Sequence, residues 1–151
     1  EHLMPMLEAL LKDHGKSWSD LTRIGVGVGP GNFTGIRISV SAARGLALGL
    51  GIPAVGVSTL QAIHLLSPKA LAAVPAPRDM LYVQRPDAAP MMVPTALADA
   101  PVFAPNALSL IDAVARCAAS ADADIVNRPK PLYIKPADAA PARDSAPVIL
   151  S

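Results

Sequence analysis

Three glycines and a proline fall within seven consecutive residues, Gly29-Pro30-Gly31-Asn32-Phe33-Thr34-Gly35. That density calls for unusual φ values or for a close approach of the backbone to something else. The run before it, Ile24-Gly25-Val26-Gly27-Val28, is apolar and uncharged, as an interior strand is. The segment after it, from Ile36 to Leu50, reads as a helix, so the chain is α/β and organised around a strand, a tight turn and a helix. Two uses of such a turn stand open: a phosphate cradle at a helix N-terminus, or a closely packed strand-to-helix crossover. The standard phosphate motifs do not fit. A P-loop needs a lysine that the stretch between Lys16 and Lys69 lacks, and Gly29, Gly31 and Gly35 are spaced G-x-G-x-x-x-G rather than as a dinucleotide fingerprint.

Within the helix, Ser41, Ala42, Gly45 and Gly49 recur in three- and four-residue steps and share one face. Each interior glycine costs about 1 kcal/mol relative to alanine, so the face implies that another backbone comes close. That backbone belongs either to the sheet of the same chain or to a partner subunit. Leu3, Met4, Leu7, Leu10 and Leu11 show helical spacing over residues 1–14, with Gly15 placed as a C-cap and Pro5 tolerable in the first turn. The two early methionines suit core filling or an adaptable contact surface, and Trp18 reads as a packing anchor. Residues 53–57 form a second apolar run, expected as a parallel strand after a helical crossover, and Ser58 or Thr59 caps a helix over 60–66. Asn106 caps another through Ala119, with Leu108, Ile111, Ala115 and Ala118 or Ala119 on its apolar side. Thirteen of the sixteen prolines lie at or after Pro68, so residues 68–105 read mostly as loops with one strand at 80–84. Beyond Ala139 an extended, mobile tail is expected.

Composition narrows the function classes. At 151 residues, 52% hydrophobic and 17% charged, the chain is one domain's worth and far from a disordered profile. Thirteen basic against twelve acidic residues give no net pull toward nucleic acid. Single Cys117 cannot close an internal disulfide, and Pro53 interrupts the longest apolar run before it reaches membrane-spanning length. A soluble, cytoplasmic protein without membrane contact is expected. His2, His14 and His64 have no metal-pair spacing, no serine stands in a nucleophile elbow, and the aspartates are scattered. No catalytic residue and no metal site is therefore expected, and the chain alone should neither hydrolyse ATP nor cleave peptides. Arg37 and Arg44, two helical turns apart, can share a face and touch a phosphate or a partner carboxylate.

The string Gly29-Pro30-Gly31-Asn32-Phe33-Thr34-Gly35-Ile36-Arg37, followed by Ala43-Arg44-Gly45-Leu46-Ala47 and by Gly51-Ile52-Pro53-Ala54-Val55-Gly56-Val57-Ser58-Thr59-Leu60, resembles the bacterial TsaB (YeaZ) family of tRNA threonylcarbamoyladenosine biosynthesis proteins. Pro131-Leu132-Tyr133-Ile134-Lys135-Pro136-Ala137-Asp138 resembles the closing segment of that family, with Lys135 for the usual arginine, and Asn32 stands where serine is usual. The first strands of the family would lie before Glu1, and Pro75-Ala76-Pro77 interrupts the strand expected before Tyr82. Absent segments are the expected reason, because a βαβ fold without its central strand leaves edges unpaired.

The resemblance implies an acetate kinase, Hsp70 and actin type (RNase H-like) two-lobed α/β fold, incomplete in this chain. Residues 1–67 would belong to the first lobe and 68–139 to the second, with 140–151 as a tail. It implies a non-catalytic partner of a TsaD-like ATP-binding subunit, assisted by a TsaE-like ATPase and forming a homodimer when alone. No cofactor would be bound by this chain itself, ATP or ADP belonging to the partner complex, and tRNA would be met only through that complex. The expected interface comprises Leu3, Met4, Leu7, Leu11, Ser41, Ala42, Gly45 and Gly49. The competing expectation is a nucleotide-dependent or peptidase-like hydrolase that uses Gly29, Pro30, Gly31, Asn32, Phe33, Thr34, Gly35 and Arg37.

Overall fold

A strand that alternates valine with glycine can be covered closely on both faces, and that is how the first sheet is built. In the computed structural model, which describes residues 2–122 and 128–134, helix α1 (Leu3–Asp13) and a short 3-10 turn (Trp18–Asp20) lead into strand β1 (Ile24–Gly27). Helix α2 (Phe33–Leu50) then crosses to strand β2 (Ala54–Val57), which pairs with β1 in parallel, Ile24 opposite Ala54. Ile24, Val26 and Val28 face α2 and pack with Ile36, Val40 and Ala43, joined by Leu132 from the 128–134 segment. On the opposite face Val55 and Val57 meet Ala62 of helix α3 (Thr59–Leu66) and Ala113 and Ala118 of helix α4 (Ala107–Ser120). Gly25 sits under α4, where an added Cβ would stand 2.8 Å from the Ala118 Cβ. Among the described residues β1 pairs only with β2.

The caps follow the sequence. Gly15, at φ 61°, closes α1, Ser58 and Gln61 form a capping box on α3, and the Asn106 side chain accepts from the Ser109 amide at the start of α4. Arg23 caps the other end of α4: its Nη1 donates to the carbonyls of Ala118, Ala119 and Ala121 at 2.9, 3.1 and 2.7 Å. A cation there meets both the unsatisfied carbonyls and the negative end of the helix dipole.

Residues 68–105 depart from expectation. They form a four-stranded sheet in the order β5-β4-β3-β6, from β3 (Leu71–Ala76), β4 (Met80–Gln84), β5 (Met91–Pro94) and β6 (Pro101–Val102). Only β4 was expected. The prolines that argued for loops sit where no ladder bond is lost: Pro75 lies beyond Leu71 and Ala72, the part of β3 that β6 reaches, and Pro94 and Pro101 lie at strand ends. The strand before Tyr82 is likewise unbroken, since β3 turns through Pro77, Arg78 and Asp79 straight into β4. Leu60 and Ile63 of α3 pack on Ala72, joining the second sheet to the first.

The α4 stripe is a second correction. Ala118 is buried as expected, but Leu108 and Ile111 are 81% and 64% exposed, and Ala115 and Ala119 are exposed. The packed side is instead Leu110, Ala113, Val114, Cys117 and Ala118. The helix is apolar nearly all round, so spacing alone offers two stripes. The expected tail at 140–151 lies outside the described residues.

Candidate functional site

The glycine-rich turn is a junction of four segments. Gly29 adopts φ 97°, and a Cβ there would meet Ile36 Cδ1 at 2.7 Å, so the position suits glycine for both conformation and space. Its carbonyl accepts from the Thr59 amide at 2.8 Å, and the Val28 carbonyl accepts from the Leu132 amide at 2.8 Å. Gly29 and Pro30 are buried, whereas Gly31, Asn32, Phe33, Thr34 and Gly35 are exposed. Helix α2 starts at Phe33, three residues earlier than expected, because the Asn32 side chain accepts from the Gly35 amide at 2.7 Å. Asparagine is a strong N-cap, a signal present in the sequence and passed over. These bonds fit the closely packed crossover: one of the first-turn amides that a phosphate would need is already occupied.

Arg37 belongs to the same junction. Its guanidinium lies 3.8 Å from the Phe33 ring centroid, and its Nε donates to the Tyr133 hydroxyl at 2.9 Å. The Phe33 and Tyr133 rings are 5.1 Å apart. Arg37 thus clasps the 128–134 segment to the start of α2, a role that sequence spacing could not show because the partners are 96 residues apart. Arg44 does not join it.

The second feature is the surface made by α1 and α2. Helix α1 has no buried residue: Leu3 and Met4 are exposed and Leu7 and Leu11 half-buried. Helix α2 turns Val40, Ala43 and Ala47 inward, so its small residues point the other way. Ser41, Gly45 and Gly49 are exposed and Ala42 half-buried, and no atom lies within 4 Å of a Cβ built on Gly45 or Gly49. Among the described residues, this face does not pack on the sheet. Met4, Ala42, Gly45 and Gly49 come together with Trp18, Leu46 and Leu50 around an apolar groove of about 450 Å³. Leu3, Leu7, Leu11 and Ser41 do not line it. Trp18 anchors this groove rather than a closed core.

Among the described residues no group of three or more His, Cys, Asp or Glu could hold a metal ion, and no helix is long and apolar enough to cross a membrane. Cys117 is half-buried on the packed side of α4, and burial pushes its thiol pKa up, the opposite of an activated nucleophile.

Comparison with known proteins places this geometry. The family model described as "TsaD: tRNA N6-adenosine threonylcarbamoyltransferase" matches residues 1–86. The chain belongs to the TsaD family. Within the family it is similar to TsaB proteins: 45% identical over 60 residues to the tRNA threonylcarbamoyladenosine biosynthesis protein TsaB of Escherichia coli K12, and 43% identical over 60 residues to that of Bacillus subtilis 168. Each alignment takes in 40% of this chain and 26% of the relative, so the chain matches about a quarter of those proteins' length. Among solved structures, a Pseudomonas aeruginosa protein described as similar to the peptidase YeaZ superposes with a TM-score of 0.55 at 30% identity, over 70% of this chain and 56% of that one. YeaZ from the same organism gives 0.54 at 30% identity, over 64% and 53%. The TsaD-family match and these YeaZ neighbours support the α/β class of acetate kinase, Hsp70 and actin type.

Proposed function

We propose that this TsaD-family chain is a non-catalytic subunit in threonylcarbamoyl modification of the tRNA adenosine next to the anticodon. It works in the cytoplasm beside a TsaD-like ATP-binding subunit and a TsaE-like ATPase, and pairs with itself when they are absent. ATP or ADP belongs to the partner complex, and tRNA is met through it. The observation that carries the reading is the α1 and α2 surface: a helix with no buried residue lies beside exposed glycines that let another backbone approach closely. Apolar area there is worth about 25 cal/mol per Å² once covered, and large uncovered apolar surfaces mark interaction sites. A two-helix surface on a two-fold axis makes a four-helix packing. Residues 3–13 and 41–50 should gain protection from hydrogen exchange when the chain is mixed with a TsaD-type protein. Unchanged exchange there in a complex that does form would place the interface elsewhere.

The competing reading, a nucleotide-dependent or peptidase-like hydrolase, draws on the word peptidase in the description of the P. aeruginosa neighbour. Calorimetric titration of the isolated chain with ATP separates the two. No heat of binding is expected, and saturable binding lost on Arg37→Ala would favour the hydrolase.

A further inference from the structure

On the other flank of α2 lies a second concavity, of about 360 Å³, between that helix, the start of β2 and residues 128–129. Its walls are apolar: Ala47, Leu48, Ile52, Pro53, Ala54 and Pro129. Ala47 of α2, Ala54 of β2 and Pro129 are buried and form its floor. Two charged side chains line it, Arg44 from α2 and Arg128 from the C-terminal segment, and no acidic residue does. Three other guanidiniums are occupied, whereas Arg78 and Arg85 on the second sheet also lack a side-chain partner among the described residues. Arg23 is spent on the end of α4, Arg37 on Phe33 and Tyr133, and Arg116 on Asp112. Arg44 and Arg128 have no hydrogen bond or ion pair with any described residue.

Two guanidiniums on the rim of one concavity, with no carboxylate beside them, give it a positive potential that favours an anion. A guanidinium presents a planar fork of donors matched to phosphate or carboxylate oxygens, and a pair of them suits a dianion better than a monoanion. Apolar walls with a few convergent polar groups, at a volume of a few hundred Å³, are also the general form of a small-molecule site. We propose that this concavity binds a phosphate monoester carrying a compact apolar body, with Arg44 and Arg128 on the phosphate and Leu48, Ile52 and Pro129 against the apolar part. The site is distinct from the α1 and α2 groove, although Gly45 borders both, and its test does not depend on any partner protein.

Phenyl phosphate is a suitable probe. In a two-dimensional amide NMR titration of the whole chain, shifts should saturate and concentrate at Gly45, Leu48, Ile52 and Ala54. Arg44→Ala and Arg128→Ala should each weaken binding at least tenfold, with Arg44→Lys and Arg128→Lys in between. Both arginines are exposed, so the variants should keep the dispersed spectrum of the wild type, which the same experiment reads. Phenol and inorganic phosphate, each carrying half of the chemistry, should bind at least tenfold more weakly than phenyl phosphate. Non-saturating shifts spread over all basic residues, equal binding by benzoate, or binding unchanged in a folded Arg44→Ala/Arg128→Ala double variant would overturn the proposal.

Discussion

Gly25 and Gly45 should respond to the same substitution with opposite signs. A methyl added at Gly25 stands 2.8 Å from the Ala118 Cβ and 3.6 Å from the Val114 carbonyl oxygen. Carbon atoms pack best at about 3.5–4.0 Å, so α4 must move outward by roughly 1 Å. Ala118 is short and fixed to the helix backbone, and cannot swing aside. The shift would loosen the packing of Ala113 and Ala118 on Val55 and Val57 and pull the α4 carbonyls away from Arg23. Overpacking of this kind costs about 1–3 kcal/mol. At about 2–4 °C per kcal/mol for a chain of this size, Gly25→Ala should lower the melting temperature by about 2–12 °C. A methyl at Gly45 meets nothing within 4 Å, so Gly45→Ala should stabilise the chain by about 1 kcal/mol through helix propensity alone. The assay is thermal and urea unfolding followed by circular dichroism, at a concentration where the chain sediments as a monomer. A destabilised Gly45→Ala monomer would refute the exposed position of that face, and a neutral Gly25→Ala would refute the close seating of α4 on β1.

Three further outcomes follow from the same geometry. Arg23→Ala removes three hydrogen bonds to the end of α4 and should cost about 1–3 kcal/mol in urea unfolding; a loss below about 0.3 kcal/mol would show that the carbonyls do not depend on it. Asn32→Ala should cost about 1 kcal/mol and Asn32→Ser should restore most of it, since either polar side chain can accept from the Gly35 amide; equal stability of all three would remove Asn32 as the cap. Burial raises the Cys117 pKa, so the folded state prefers the thiol, and its contribution is complete below the unfolded value of about 8.5 and lost as pH rises through the folded one. Cys117→Ser should therefore flatten the fall in stability as pH rises above the unfolded thiol value of about 8.5, and an unchanged slope would contradict the assignment.

The first sheet and the helices packed on it were legible because their signals are local. Gly15, Ser58 with Gln61, and Asn106 mark helix ends through bonds three or four residues long, and the valine-glycine alternation of β1 matches helices seated on both of its faces. The second sheet was hidden because proline is read as a strand breaker, and only tertiary pairing shows that Pro75, Pro94 and Pro101 fall where no partner strand needs their amides. On α4 two apolar stripes compete, and the choice between Leu108 and Leu110 is made by β1 and β2 rather than by the helix. Part of the candidate surface could be read directly, since the three- and four-residue steps put Ala42, Gly45 and Gly49 on one side of α2. What they face could not, because that depends on the seating of Val40, Ala43 and Ala47. The Arg37 clasp and the Arg44 and Arg128 concavity join residues more than eighty positions apart, beyond the reach of local patterning.

Sedimentation equilibrium of the wild type and Gly45→Leu, each alone and with a TsaD-type partner, tests the α1 and α2 surface most directly. Gly45 borders the groove and has open space in front of it, so a leucine there separates incoming helices without disturbing the monomer's own core. The account predicts that self-association and partner association weaken together while the thermal melt of the monomer stays within a few degrees of wild type. A Gly45→Leu chain that dimerises and binds its partner normally, or that unfolds, would contradict it.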